Sequence, residues 1–169
     1  MNIDINGVSI TLTPEQLAEI ARQTNQLKSY KDIISFDKAC ELFTAGAARN
    51  HCTAGRVVIV SGGTGNPFFS TDTAAALRAL EIGAQILLKG TKVDAIYTDD
   101  PVKNPSAEKL ARLTHQEALT RRLKFMDTTA LSLCQDNNLP IVLYKLLEKG
   151  ALMQCVCGQP IGSLVSTGG

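Results

Sequence analysis

Five consecutive residues of nearly pure β-branched character, 56–60 (RVVIV), run directly into a glycine-rich stretch, 61–73 (SGGTGNPFFSTDT). An apolar run without polar alternation is the pattern of a strand buried on both faces, as in a parallel sheet. Parallel strands need crossover connections, which are right-handed and usually helical. The run therefore predicts alternating strands and helices downstream. The chain supplies them. Residues 71–81 read as a helix closed by Gly83, with Ala75, Leu77, Ala79 and Leu80 offered for packing. Residues 84–89 (AQILLK) read as a second buried strand, and 95–97 as a short extended piece before the turn-rich 99–105. Helices are expected near 115–123 and 127–136, a strand at 141–146, a short helix around 151–157 and a last strand at 161–165.

Residues 1–54 have a different character. Apolar and polar residues alternate over 3–5 and 8–12 around Asn6-Gly7, a strong two-residue hairpin signal. Thr13 suits an N-cap, with Pro14 at the first helical position and Gln16 completing a capping box. Leu17, Ile20 and Ala21 would line the apolar face of that helix. A second helix is expected from Ser35, burying Phe36, Ala39, Cys40 and Phe43, and residues 45–55 read as a connection. The predicted architecture is a three-layer α/β/α sandwich with a mostly parallel sheet over 55–169. A hairpin-and-helix segment, 1–54, precedes it.

At 169 residues, 44% hydrophobic and 20% charged, the chain describes one ordinary globular domain. A formal charge of +1 argues against broad electrostatic binding to nucleic acid or a membrane surface, though not against a small anion held locally. No apolar run approaches bilayer length, and the N-terminus lacks a signal peptide's basic flank and apolar stretch, so a cytoplasmic location is expected. Five irregularly spaced cysteines suit buried, reduced thiols rather than a disulfide framework. Cys155 and Cys157, with His51 and Cys52, lack the second motif a metal site would need, and no metal site is expected.

In a parallel sheet, ligands sit beyond the carboxyl ends of strands, where loops enter helix N-termini. The 61–73 loop has that position. Gly62, Gly63 and Gly65 permit positive φ and close backbone approach to an anion. Thr64, Asn66, Ser70 and Thr71 supply donors and acceptors, and Phe68 and Phe69 are candidates to wall off a base or sugar. Asp72, at the helix start, suits capping, positioning a phosphate, or holding Mg²⁺ through water. The loop is neither a Rossmann fingerprint nor a Walker A loop. A plain glycine turn with Asp72 as N-cap fits the same residues, so both readings stand at this level. A second polar cluster, 89–101 (KGTKVDAIYTDDP), offers Lys92 to a phosphate, Tyr97 to a base, and Asp94, Asp99 or Asp100 to ribose or Mg²⁺. A solvated turn is the alternative there, and the better one for Asp99.

Taken together, 55–84 (GRVVIVSGGTGNPFFSTDTAAALRALEIGA), 87–101 (LLKGTKVDAIYTDDP), 123–141 (LKFMDTTALSLCQDNNLPI) and the 150–165 tail resemble the bacterial uridylate (UMP) kinases of the amino acid kinase superfamily, in order and spacing. The resemblance implies phosphoryl transfer from Mg²⁺-bound ATP to UMP, giving UDP for pyrimidine nucleotide biosynthesis. It assigns Thr64, Gly65, Asn66, Pro67, Phe68, Phe69, Ser70 and Thr71 to UMP. It assigns Thr91, Lys92, Tyr97 and Asp100 to ATP. Asp72 would organise the transferring phosphate and its metal, and Asp127 would support the site. The family assembles as nucleotide-regulated hexamers, which implies a homo-oligomer. Residues 1–54 show neither the family's glycine-rich K-x-S-G loop with its phosphate-binding lysine nor its UMP-gripping Arg and Asp. Gly90, Ala95 and 144–148 (YKLLE) also depart from its pattern. The alternative to an active kinase is a catalytically inactive nucleotide-binding fragment or a rearranged chain.

Overall fold

Two short strands, β1 (Asn2–Ile5) and β2 (Val8–Thr11), pair antiparallel with Ile5 opposite Val8, so two residues link them, as the Asn-Gly pair predicts. The structure, a computed structural model, describes these strands and residues 40–168. The expected helix after Thr13, and most of the one from Ser35, lie outside the described residues. The chain divides into two compact units, 1–42 and 43–169.

The second unit begins differently from expectation. Residues 41–44 are not helical, so the helix expected through Phe43 does not reach it. The 45–55 connection is instead mostly helix α1 (Ala45–Thr53), because Thr44 caps it by accepting the Ala47 N–H at 3.1 Å and three alanines favour helix. The 56–60 run forms no strand. It lies outside any ladder among the described residues, with Val57 92% and Ile59 87% exposed. A β-branched run makes strand formation favourable only where a partner strand offers its N–H and C=O groups.

Beyond the glycine loop the order is close to that predicted. Helix α2 (Thr71–Ile82) is capped by Ser70 and stopped by Gly83 at φ 75°, whose N–H bonds the Leu80 carbonyl. Its buried stripe is Thr73, Ala74, Ala76 and Ala79; of the residues predicted to pack, Ala79 is buried, Leu77 and Leu80 are partly buried and Ala75 faces solvent. Strand β3 (Leu87–Thr91) starts and ends later than predicted and is half-buried rather than buried. Then come β4 (Ile96–Tyr97), β5 (Lys109–Leu110), β6 (Arg112–Thr114), α3 (His115–Thr120) and α4 (Thr128–Asp136). The chain closes with β7 (Ile141–Lys145), α5 (Ala151–Val156) and β8 (Ser163–Ser166). The sequence reading missed β5 and β6, which are too short and too charged to show periodicity.

The principal sheet runs β3-β7-β8-β6, parallel except where β7 meets β8. Strands β4 and β5 form a separate antiparallel pair. The core gathers Ala76 and Ala79 of α2, Ala130, Leu131 and Cys134 of α4, Ile141 and Leu143 of β7 and Val165 of β8. Each large apolar side chain buried there contributes about 1.5–3 kcal/mol. Alanines on α2 let it approach α4 closely, which brings the N-termini of both helices together. Of the five cysteines only Cys134 is fully buried; Cys40, Cys52 and Cys157 are exposed, because they fall outside the packed stripes. No helix among the described residues is long and apolar enough to cross a membrane.

Candidate functional site

The N-termini of α2 and α4 face each other across a pair of carboxylates. Ser70, not Asp72, is the N-cap of α2, its hydroxyl accepting the Thr73 N–H at 3.2 Å. That disposes of the plain-cap reading of Asp72. Asp72 instead pairs with Lys89 of β3, Nζ to Oδ2 at 2.5 Å, and the same oxygen accepts the Asp127 N–H at 3.3 Å. Both side chains are half-buried, so the pair is screened less by solvent than an exposed bridge. Among the described residues, Oδ1 of Asp72 accepts no hydrogen bond.

Asp127 is saturated. Its carboxylate caps α4 by accepting the Ala130 N–H at 2.8 Å, and it also accepts the Thr73 hydroxyl at 3.2 Å and the Ser70 hydroxyl. Burial works to raise its pKa, but these hydrogen bonds and the Lys89 charge outweigh it and hold the carboxyl below the usual range. It is therefore a fixed anion that ties α2 to α4. A cavity of about 670 Å³ opens beside the pair, lined in part by Asp72, Asp127, Arg122, Lys124 and Phe125.

The 61–70 loop is an exposed turn leading into the α2 N-terminus, and Asp72, just beyond it, lines this cavity. Gly62, Gly63 and Gly65 take positive φ as predicted, and Phe68 does so as well at φ 70°. Thr64 and Asn66 bond each other rather than the rest of the fold: Thr64 Oγ1 accepts the Asn66 N–H at 3.1 Å. Phe68 is fully exposed and Phe69 half-exposed, so both aromatic faces are available to a partner. Gly65, Pro67 and Thr71 are exposed alongside them.

Residues of the second predicted cluster divide into separate groups. Tyr97 donates to Asp94 at 2.9 Å, and Lys109 bridges Asp94 at 3.0 Å. Burial opposes but does not prevent the lowering of the Asp94 pKa, which the Lys109 and Tyr97 hydrogen bonds bring about. The hydrogen bond to Asp94 in turn raises the Tyr97 pKa. Asp94 and Lys109 line a second cavity of about 350 Å³, together with Tyr144, Lys145 and Gly162. Thr91 donates to the Val93 carbonyl at 2.7 Å. Asp100 accepts the Val102 N–H at 3.0 Å and lies 3.7 Å from Lys103, so it organises its own turn. Asp99 accepts from Asn104 in the same turn. Lys92 is exposed.

The structure thus unites Ser70, Asp72 and Asp127 of the predicted residues. The sequence reading overlooked Lys89 and Lys109. Lys89 was detectable: a lysine within a predicted buried strand needs an anionic partner, and Asp72 heads the preceding helix.

Residues 3–145 match a family model described as the amino acid kinase family. The match begins ahead of the 55–165 resemblance and takes in most of 1–54. The chain is 46% identical to a uridylate kinase of Methylococcus capsulatus over 164 residues, 97% of this chain and 66% of that protein. A UMP kinase structure from Bacillus anthracis superposes with a TM-score of 0.77 at 31% identity, covering 80% of this chain and 56% of that one. A UMP kinase structure from Ureaplasma parvum gives 0.72 at 36% identity, covering 77% and 56%. The chain therefore spans between about half and two-thirds of the length of these relatives.

Proposed function

The chain belongs to the amino acid kinase family, with its mostly parallel sheet and flanking helices, and on that footing we propose that it binds UMP and transfers to it the γ-phosphoryl group of ATP. The observation that carries the reading is the meeting of Ser70, Asp72, Lys89 and Asp127 at two helix N-termini, directly after the 61–70 loop. Helix N-termini present free N–H groups and positive potential to a phosphate. The loop's glycine amides, Thr64 and Thr71 hold UMP, and the exposed Phe68 and Phe69 cover it. Tyr97, Thr91, Lys92 and Asp100 face ATP.

Phosphoryl transfer asks little covalent chemistry of a protein and much positioning. Asp127, already saturated, locks α2 to α4 and so fixes the two N-termini. Lys89 holds one oxygen of Asp72, which leaves the other directed to the substrates or their metal. That open oxygen fits a hard cation such as Mg²⁺, which would neutralise phosphate charge when bound. Release of ADP from ATP on addition of UMP, followed in a coupled assay, tests the reading. Turnover that Asp72→Asn abolishes supports it. Absence of turnover in a chain that still binds UMP would leave the inactive, nucleotide-binding alternative.

A further inference from the structure

Among the described residues, the loop that is proposed to hold UMP has a single hydrogen-bond tether to the body of the fold ahead of Ser70. Residues 61–69 make no backbone hydrogen bond outside themselves among the described residues, and Thr64 and Asn66 bond only one another. The exception is Arg78, in the second turn of α2, whose Nη2 donates to the Gly63 carbonyl at 3.3 Å. Consecutive positive φ values at Gly62 and Gly63, 84° and 67°, reverse the chain so that this carbonyl faces the helix.

Arg78 is itself fixed from three directions. Its Nη1 bonds Glu81 at 2.6 Å, one turn along α2, and its guanidinium lies 4.2 Å from the centroid of the Phe43 ring. Its Nε is buried without a hydrogen-bond partner among the described residues. A guanidinium is held in that way only where its other contacts dictate the orientation, because an orphaned donor is unfavourable. Only an arginine reaches Glu81 and Gly63 at once, since the planar fork presents its donors in fixed directions; a lysine ammonium is a point charge.

We propose that Arg78 is the positioning residue of the nucleotide loop. It transmits the fixed geometry of α2 to the Gly63 carbonyl and so sets where the Thr64–Asn66 turn and the following amides meet the substrate. The inference rests on the UMP-binding reading but is separable from it. Arg78 does not touch substrate. It lowers the ordering entropy the loop would otherwise lose on binding.

The test compares Arg78→Lys with Arg49→Lys in the full chain. Arg49 donates to the Glu81 carbonyl at 2.9 Å and ties α1 to the same end of α2 without contacting the loop. Three quantities are read: UMP affinity by calorimetry, thermal midpoint, and the amide resonances of Gly63, Thr64 and Gly65 in the free chain. The expected result for Arg78→Lys is a loss of UMP affinity of about tenfold, the usual worth of one charge-assisted hydrogen bond, with the loop resonances displaced. Arg49→Lys lowers the midpoint comparably and leaves UMP affinity unchanged. Wild-type affinity and unmoved loop resonances in Arg78→Lys would overturn the inference, as would an equal loss of affinity in Arg49→Lys. Should Arg78→Lys fail to fold, Glu81→Gln, which loosens the guanidinium, is expected to shift the same resonances and weaken UMP in the same direction; unmoved resonances there would also overturn it. If the wild-type chain binds no UMP, the functional reading fails, and the loop resonances alone decide the role of Arg78.

Discussion

Asp127 joins more structure than any other side chain at the site, and replacing it separates its functions. In Asp127→Ala, α4 loses its N-cap, the Ala130 N–H acceptor at 2.8 Å, a loss typically of about 1 kcal/mol. The Thr73 hydroxyl, bonded at 3.2 Å, and the Ser70 hydroxyl lose a charged acceptor. Hydrogen bonds to a charged group are worth about 1.5 kcal/mol or more each, reduced where the group is partly solvated. The three bonds share one carboxylate and are not additive, so about 3 kcal/mol in total is expected. Asp127→Asn keeps a good capping residue and one carbonyl acceptor, and should cost only about 1 kcal/mol. Urea unfolding followed by circular dichroism reads both, provided the slope m is unchanged. The order wild type, Asn, Ala is the signature. An Asp127→Ala chain within about 0.5 kcal/mol of wild type would refute the reasoning. So would Asn and Ala variants of equal stability, because the cap would then contribute nothing.

Gly162 takes φ 69° and a Cβ built there would lie 1.8 Å from the Leu143 carbonyl oxygen, so Gly162→Ala should lower the thermal midpoint severely or prevent folding; a midpoint near wild type in a thermal scan would contradict that packing. His115 is fully buried, with Nε2 at 3.0 Å from the Leu139 carbonyl oxygen, and burial holds its pKa below the ordinary 6.5 despite that bond. The unfolded chain then binds the proton more readily, so stability should be constant above about pH 6.5 and fall as the pH drops below it. Urea midpoints measured from pH 8 to pH 5 should show that fall and His115→Gln should flatten it; a parallel pH profile in the variant would remove His115 as the cause. Lys89→Met leaves the Asp72 carboxylate half-buried without its cation, and is expected to be markedly less stable than Lys89→Met combined with Asp72→Asn. Equal stability of the single and double variants in urea would show that the pair is not coupled.

The order of helices in the second unit beyond residue 70 was legible because its signals are local. Gly83 stops α2 as predicted; Ser70 at its start, the Thr114–Glu117 capping box of α3 and the Asp127 cap of α4 are equally local signals, although the sequence reading overlooked them. Strand β7 announced itself by an unbroken apolar run. The misreading of 56–60 has the opposite origin. Its composition is that of a buried strand, but strand formation depends on a neighbour's ladder, and no local signal reports whether one is present. Strands β5 and β6 failed for a related reason: Lys109 and Arg112 mask pairings that β4 and β8 create. At the site, Asp72 stands out by its place at the helix start, whereas its partner Lys89 lies seventeen residues on, in β3 beyond the whole length of α2. The Asp127–Ser70 and Asp127–Thr73 bonds span more than fifty residues and only the packing of α2 on α4 makes them.

The central proposal is that the 61–70 loop and the α2 and α4 N-termini of this chain form a UMP site. Calorimetric titration of UMP into the chain, with Ser70→Ala alongside, tests it most directly. The account predicts saturable binding that weakens in Ser70→Ala, and stabilisation of the fold by about 2.7 kcal/mol when UMP is a hundredfold above its Kd. No heat of binding and no thermal shift at millimolar UMP would contradict it.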